Sequence, residues 1–184
     1  MNLKRISAWG VAFSLINCAN AHEAHVHGAA KLEVAQEGPS LTVHLESPLI
    51  NLFGFERAPR SAAERAVVQQ AVARLRDGEA IFMMSPPAGC RLESVRLDFG
   101  ALTPAFTAAS ESAAKALPAS DPGGEHADLD ADYSFRCKTP AALHQIDVRL
   151  FEAFPGVMRV AVQLVTAKAQ AGTTLTRDNS KLSW

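Results

Sequence analysis

Residues 25–46 constrain the fold more than any other stretch of this 184-residue chain. From His25 to Gln36 the residues alternate. Val26, Gly28, Ala30, Leu32 and Val34 share one phase; His25, His27, Ala29, Lys31 and Glu33 share the other. A period of two belongs to a strand with one face buried. Glu37-Gly38-Pro39-Ser40 reads as a turn. The alternation then resumes, with Leu41, Val43 and Leu45 inward and Thr42, His44 and Glu46 outward, until Pro48 ends it. The two phases dictate a hairpin register. With Gln36 opposite Leu41, Val34 faces Val43, Leu32 faces Leu45, Glu33 faces His44 and Lys31 faces Glu46, so opposite charges meet. His25 and His27 then lie on the order of 20 Å from His44 along the hairpin. They fall level with the segment 49–56.

Further along, Ser61-Ala62-Ala63-Glu64 has the spacing of a capping box. It predicts a helix to about Arg76, with Val68, Ala71, Val72 and Leu75 on its buried side and Asp77-Gly78 as its stop. Residues 80–84 read as a short apolar strand before Pro86-Pro87, and 90–99 as a strand whose phase slips near Ser94, as at a bulge. Residues 103–124, rich in Ala, Ser, Pro and Gly, read as a flexible loop with a helical turn near 111–117. From His126 a second clean alternation puts Ala127, Leu129, Ala131, Tyr133, Phe135 and Cys137 inward, and His126, Asp128, Asp130, Asp132, Ser134 and Arg136 outward. Ile146, Val148 and Leu150, then Val160, Val162 and Leu164 after a Pro155-Gly156 turn, continue the pattern; a last strand lies near Leu182. The expectation is a single α+β domain, a mostly antiparallel sheet with one main helix. Leu52-Phe53-Gly54-Phe55 is echoed by Leu150-Phe151-Glu152-Ala153-Phe154. A degenerate duplication would bring His25/His27 and His126 to related places.

The first residues carry a different signal. Lys4 and Arg5 precede an uncharged, mostly apolar run over 6–16, and Ala19-Asn20-Ala21 follows. That layout is a secretory signal peptide over residues 1–21, too short in its apolar run to cross a bilayer. The domain is then 22–184, exported from the cytoplasm. A lipoprotein modified at Cys18 is the rival reading, and Asn17 suits it poorly. No other stretch predicts a membrane span. A net charge of −1 without a basic run argues against a nucleic-acid partner. Beyond the leader only Cys90 and Cys137 remain. In an oxidising compartment an even pair reads as a disulfide; the alternative, two thiolate metal ligands, lacks a C-x-x-C spacing.

The chemistry lies in the histidines. His22, His25 and His27 place three of six within six positions. His25 and His27, at i and i+2 of a strand, project together and can share a cation. Two imidazoles are half a zinc site, so acids or another histidine must complete it. His126 and Asp128 repeat the i, i+2 spacing, and Glu56 is the acid nearest that end of the hairpin. Mixed imidazole and carboxylate donors suit zinc better than magnesium or calcium; copper and nickel stay open. His22 also fits a solvated chain end, or a copper chelate with its own amine. His44 and His144 are lone; Asp132 reads as solvating charge, and Asp130 is left open between that and a ligand. No G-x-S-x-G, H-E-x-x-H or phosphate-binding glycine loop occurs, so the chain is not read as an enzyme. A zinc hydrolase would need a general base, and only Glu56 could be cast as one.

Several blocks occur together: His25-x-His27-Gly28 after a leader, Ser47-Pro48 through Gly54-Phe55-Glu56, His126 ahead of Tyr133-x-Phe135-x-Cys137, and Leu150-Phe151 with Phe154-Pro155. In this combination the chain resembles periplasmic zinc-binding proteins of the ZrgA type. The resemblance covers essentially the whole chain beyond the leader. It implies a periplasmic protein that binds zinc and supports its uptake by handing it to envelope transport components. Members often carry a His-, Asp- and Glu-rich tract in mid-chain. Here 103–124 has no histidine, and Arg57 stands after Glu56 where the resemblance leads one to expect a histidine. Two readings from other classes compete: a metal-free envelope interaction domain, and a copper or zinc enzyme.

Overall fold

The hairpin forms in the register its alternation dictates. The structure is a computed structural model that describes residues 26–111 and 127–184. In chain order its elements are β1 (Ala29–Glu37), β2 (Ser40–Pro48), α1 (Leu49–Phe53), α2 (Ala62–Arg76), α3 (Gly78–Ile81), β3 (Phe82–Met84), β4 (Cys90–Asp98), α4 (Thr103–Glu111), β5 (Asp128–Cys137), β6 (Gln145–Val148), α5 (Leu150–Ala153), β7 (Arg159–Thr166), β8 (Gln170–Thr176) and β9 (Lys181–Ser183). Between β1 and β2, Gln36 pairs with Leu41, Val34 with Val43, Leu32 with Leu45, Glu33 with His44 and Lys31 with Glu46. Lys31 Nζ lies 3.4 Å from Glu46 Oε1.

The start of β1 departs from expectation. The strand begins at Ala29, not His25. Ala29 N–H donates to Val26 O at 2.9 Å, and Gly28 has φ +82°. This left-handed corner, which glycine adopts without a Cβ clash, breaks the extended backbone. Val26, expected inside, is 48% exposed.

A six-stranded sheet runs β4-β5-β2-β1-β7-β8, and a three-stranded sheet runs β3-β6-β9. Pairing is antiparallel throughout except between β1 and β7, which are parallel. Leu32, Val34, Val43, Leu45, Ala131, Tyr133, Phe135, Val160 and Val162 bury the inner face of the large sheet. The small sheet packs on that face, with the Phe82 ring edge-on to Tyr133 at 5.0 Å. Helix α2 buries Val68, Ala71, Val72 and Leu75 as its periodicity requires. Its capping box is present on both sides: Glu64 N–H donates to Ser61 Oγ at 3.1 Å, and Ser61 N–H to Glu64 Oε2 at 3.2 Å. The Ser94 slip is a bulge in β4, where the register shifts between Leu92 and Ser94. Cys90 faces Cys137 across β4 and β5 and is joined to it by a disulfide. Both sulfurs are therefore spent on the crosslink.

Other elements correct the reading. The described residues hold five α-helices rather than one main helix. Residues 78–81 are helical, since Asp77 Oδ1 accepts from Ala80 N–H at 3.2 Å, and the strand is confined to Phe82–Met84. Thr103–Glu111 is a helix, not the start of a loop. Its one large side chain explains why: Phe106 is fully buried, 4.8 Å from the Phe53 ring and 5.1 Å from that of Phe99. Burying one phenylalanine contributes about 1.5–3 kcal/mol, which offsets a run of weak neighbours. The sequence echo is local: α1 follows a strand of the large sheet, whereas α5 follows one of the small sheet. Among the described residues no helix is long and apolar enough to cross a membrane. The expected leader over 1–21, His22, His25, the rest of 103–124 beyond Glu111, and His126 lie outside the described residues.

Candidate metal centre

Topology gathers one end of the large sheet. β1 and β5 flank β2, and both run antiparallel to it, so both begin where β2 ends. Asp128, first in β5, pairs with Pro48, last in β2. The starts of β1 and β5 are thus two strand spacings apart, about 10 Å. β7 is parallel to β1 and begins at the same end, with Arg159 opposite Ala29. Helix α1 closes this end: Leu49 N–H donates to Ala127 O at 2.9 Å. The segment after Pro48 lies level with the turn at 26–29, where Asn51 meets Gly28 and Ala29.

The turn at 26–29 is held by a residue that the sequence reading passed over. Asn51, 5% exposed, accepts Gly28 N–H on Oδ1 at 2.7 Å and donates from Nδ2 to Ala29 O at 2.9 Å. Its Nδ2 also reaches Ser47 Oγ at 3.3 Å. One side chain therefore satisfies both main-chain groups at the point where β1 would otherwise have run on beside β2. Gly156 packs so closely on the Asn51 backbone that a Cβ there would collide with Asn51 O. The available signal was an amide inside the apolar run Leu49-Ile50-Asn51-Leu52-Phe53, since buried amides need partners.

Of the sequence-predicted ligands, His27, Glu56 and Asp128 are described. His27 is exposed at the corner of the turn, one residue before Gly28. It is not on the strand, so a shared claw with His25 does not follow from the geometry of β1. Asp128 heads β5 with Oδ1 buried, and Glu56, just beyond α1, also buries a carboxylate oxygen, Oε1. Among the described residues no group of three or more His, Cys, Asp or Glu is assembled to hold a metal. His25 and His126 precede Val26 and Ala127 directly in the chain.

Arg57, where a histidine was expected, is committed elsewhere. Its guanidinium pairs in two bonds with Glu64, at 2.7 and 3.1 Å, and lies over the Phe55 ring at 5.2 Å. That pairing, with bonds from the Arg60 and Ser61 amides, holds the Glu64 carboxyl down at about 2. The lone histidines also have structural partners. His144 Nδ1–H donates to Ala142 O at 2.8 Å. His44 Nδ1–H donates to Asp132 at 2.8 Å, and its Nε2 lies 3.5 Å from Asp130. Asp132 also binds Arg96, at 2.5 and 3.1 Å. The His44 bond, then the Arg96 bond, draws the Asp132 carboxyl down, whereas burial pushes Asp130 up. Asp132 is therefore the anchor of an ion-pair row on the polar face, not mere solvating charge. This row sits in mid-sheet, away from the β1 and β5 starts.

A family model described as ZrgA family zinc uptake protein matches residues 24–184. A comparison with curated proteins found no match.

Proposed function

The chain belongs to the ZrgA family of zinc uptake proteins, and we propose that it works in the periplasm, binding zinc as cargo and releasing it to transport components of the envelope. The ligand set of this reading is His25, His27, Glu56, His126 and Asp128. The observation that carries it is the common end of β1 and β5: the two histidine-bearing segments lead directly into strands that start about 10 Å apart on either side of β2. Two buried carboxylate oxygens, on Asp128 and Glu56, belong to the same end and the segment after it. Imidazole and carboxylate donors together suit zinc, at Zn–N distances of about 2.0–2.1 Å. A leader over 1–21 and a disulfide fit an oxidising compartment outside the inner membrane. No catalytic step is part of this reading.

Equilibrium dialysis against zinc at neutral pH tests it. The wild type is expected to hold the ion, and a His25→Ala/His27→Ala variant to lose at least tenfold in affinity. Ligation needs neutral imidazoles, so binding weakens as pH falls through the ordinary histidine range. Tight binding to the folded state also raises the melting temperature with zinc concentration. Equal zinc retention by wild type and double variant would discard the site. No melting shift with either zinc or chelator would favour a metal-free interaction domain.

A further inference from the structure

A groove between the α2–α3 corner and α5 shares no residue with the candidate metal centre. Its volume is about 520 Å³, the size of a site for a small organic ligand. Arg74 lines it from α2, and Arg149 from the position that leads into α5. Arg74 Nη1 donates to Ala153 O at 3.1 Å, which ties α2 to the end of α5 and leaves the rest of that guanidinium uncommitted among the described residues. Arg149 is held more loosely. Its Nε lies 3.9 Å from Asp147 Oδ2, beyond hydrogen-bond reach, and Asp147 accepts instead from Ser180 Oγ at 2.8 Å. That Nε is buried with no hydrogen-bond partner among the described residues. A guanidinium so placed is an exception to the rule that half-buried charge is paired. Two carboxylates line the same groove. Asp77 caps α3 through Oδ1, which accepts from Ala80 N–H at 3.2 Å, and Glu152 is exposed on α5. Among the described residues neither acid forms an ion pair with Arg74 or Arg149. Ile81 and Pro155 supply apolar wall between the charges.

We propose that this groove binds a short peptide with both ends free, its carboxylate taken by Arg149 and Arg74 and its ammonium by Glu152 and Asp77. The charges of the groove select that ligand. A doubly charged anion such as phosphate meets two carboxylates that repel it. A neutral apolar ligand would cover four charged side chains and pair none of them. A zwitterion answers both signs at once. The planar fork of an arginine takes a carboxylate in two parallel charge-assisted bonds, a geometry that an ammonium cannot imitate. The acids and the arginines stand too far apart to pair with each other, so the two charges of the ligand must be apart as well. The two ends of a peptide meet that condition; the single α-carbon of a free amino acid does not. Small aliphatic side chains suit the wall at Ile81 and Pro155. This site is independent of the zinc ligands and needs no metal.

Titration of the purified protein with trialanine, followed by its amide NMR shifts, tests this. Saturable shifts are expected at residues 74–81 and 149–155. Trialanine amide lacks the carboxylate and acetyl-trialanine lacks the ammonium; each is expected to bind about tenfold more weakly. Arg149→Gln is expected to weaken trialanine by a similar factor and to leave trialanine amide unchanged, which separates a lost charge pair from a damaged groove. Glu152→Gln is expected to weaken trialanine and leave acetyl-trialanine unchanged. The absence of shifts in the groove at the highest soluble peptide concentration overturns the proposal. So does equal binding of the three peptides, or a variant that weakens all three alike. Alanine binding as tightly as trialanine would make this an amino-acid site, and phosphate shifting the same amides at lower concentration would make it an anion site; either result also overturns it.

Discussion

At the scale of single residues, Asn51 decides more of the candidate metal end than any histidine does. It satisfies Gly28 N–H and Ala29 O, the two main-chain groups where the histidine stretch meets β1. Asn51→Ala leaves both without a protein partner in a buried place, which costs about 1–3 kcal/mol. Urea denaturation is expected to show that loss. Dialysis is expected to show weaker zinc binding, because the turn carrying His27 loses its tether. Asn51→Asp keeps the acceptor for Gly28 and loses the donor to Ala29, so it should fall between wild type and alanine. A variant as stable as wild type would mean that water replaces the amide without penalty. Arg57 teaches a related lesson. The sequence shows an arginine in place of an expected ligand, but not that its guanidinium is bound to Glu64. A partner seven residues away on the next helix is settled by the path of the loop between them.

At the scale of elements, α2 was legible end to end because each of its signals is local. A capping box, a period of 3.6 and an aspartate stop all lie within one stretch of chain. The Glu64 carboxyl gives this element a pH signature. Its folded value is about 2 against an ordinary 4.5, so between those values the folded state binds fewer protons than the unfolded state. Its contribution is intact above 4.5 and drains away as pH falls towards 2. Comparing melting of wild type and Glu64→Gln, the gap in favour of wild type should be constant near neutrality and close on acidification. A gap that widens in acid would reverse the assignment. β8 and α4 were illegible for the opposite reason. β8 has a single buried side chain, Leu175, so it shows no alternation. α4 is held by one phenylalanine stacked among rings from α1 and the end of β4. Neither leaves a periodic trace.

At the scale of the whole molecule, the disulfide and the parallel β1–β7 contact hold distant segments together. Cys90 and Cys137 are 47 residues apart, and the loop they close includes 112–126. In the chain-entropy model, crosslinking a loop of that length stabilises by roughly 4 kcal/mol. A Cys90→Ser/Cys137→Ser protein is expected to lose about that much in denaturant titrations, and reductant should bring the wild type down to it. An unchanged midpoint in reductant would show that the β4–β5 pairing suffices alone. The sequence by itself determined the β1–β2 register, the inward face of β5, the capped helix and the cysteine pair. In each, the deciding interaction is read from side-chain phase, from neighbours in the chain, or from there being only two cysteines after residue 21. Only the tertiary structure decided where β1 begins, because the corner at Gly28 is held by an amide 23 residues away. It alone decided that β1 and β5 start at one end, since that depends on strand order. It alone decided which strands lie at the edges of the sheet among the described residues, because strand order is set by partners far apart in the chain, and no local pattern in a strand records them.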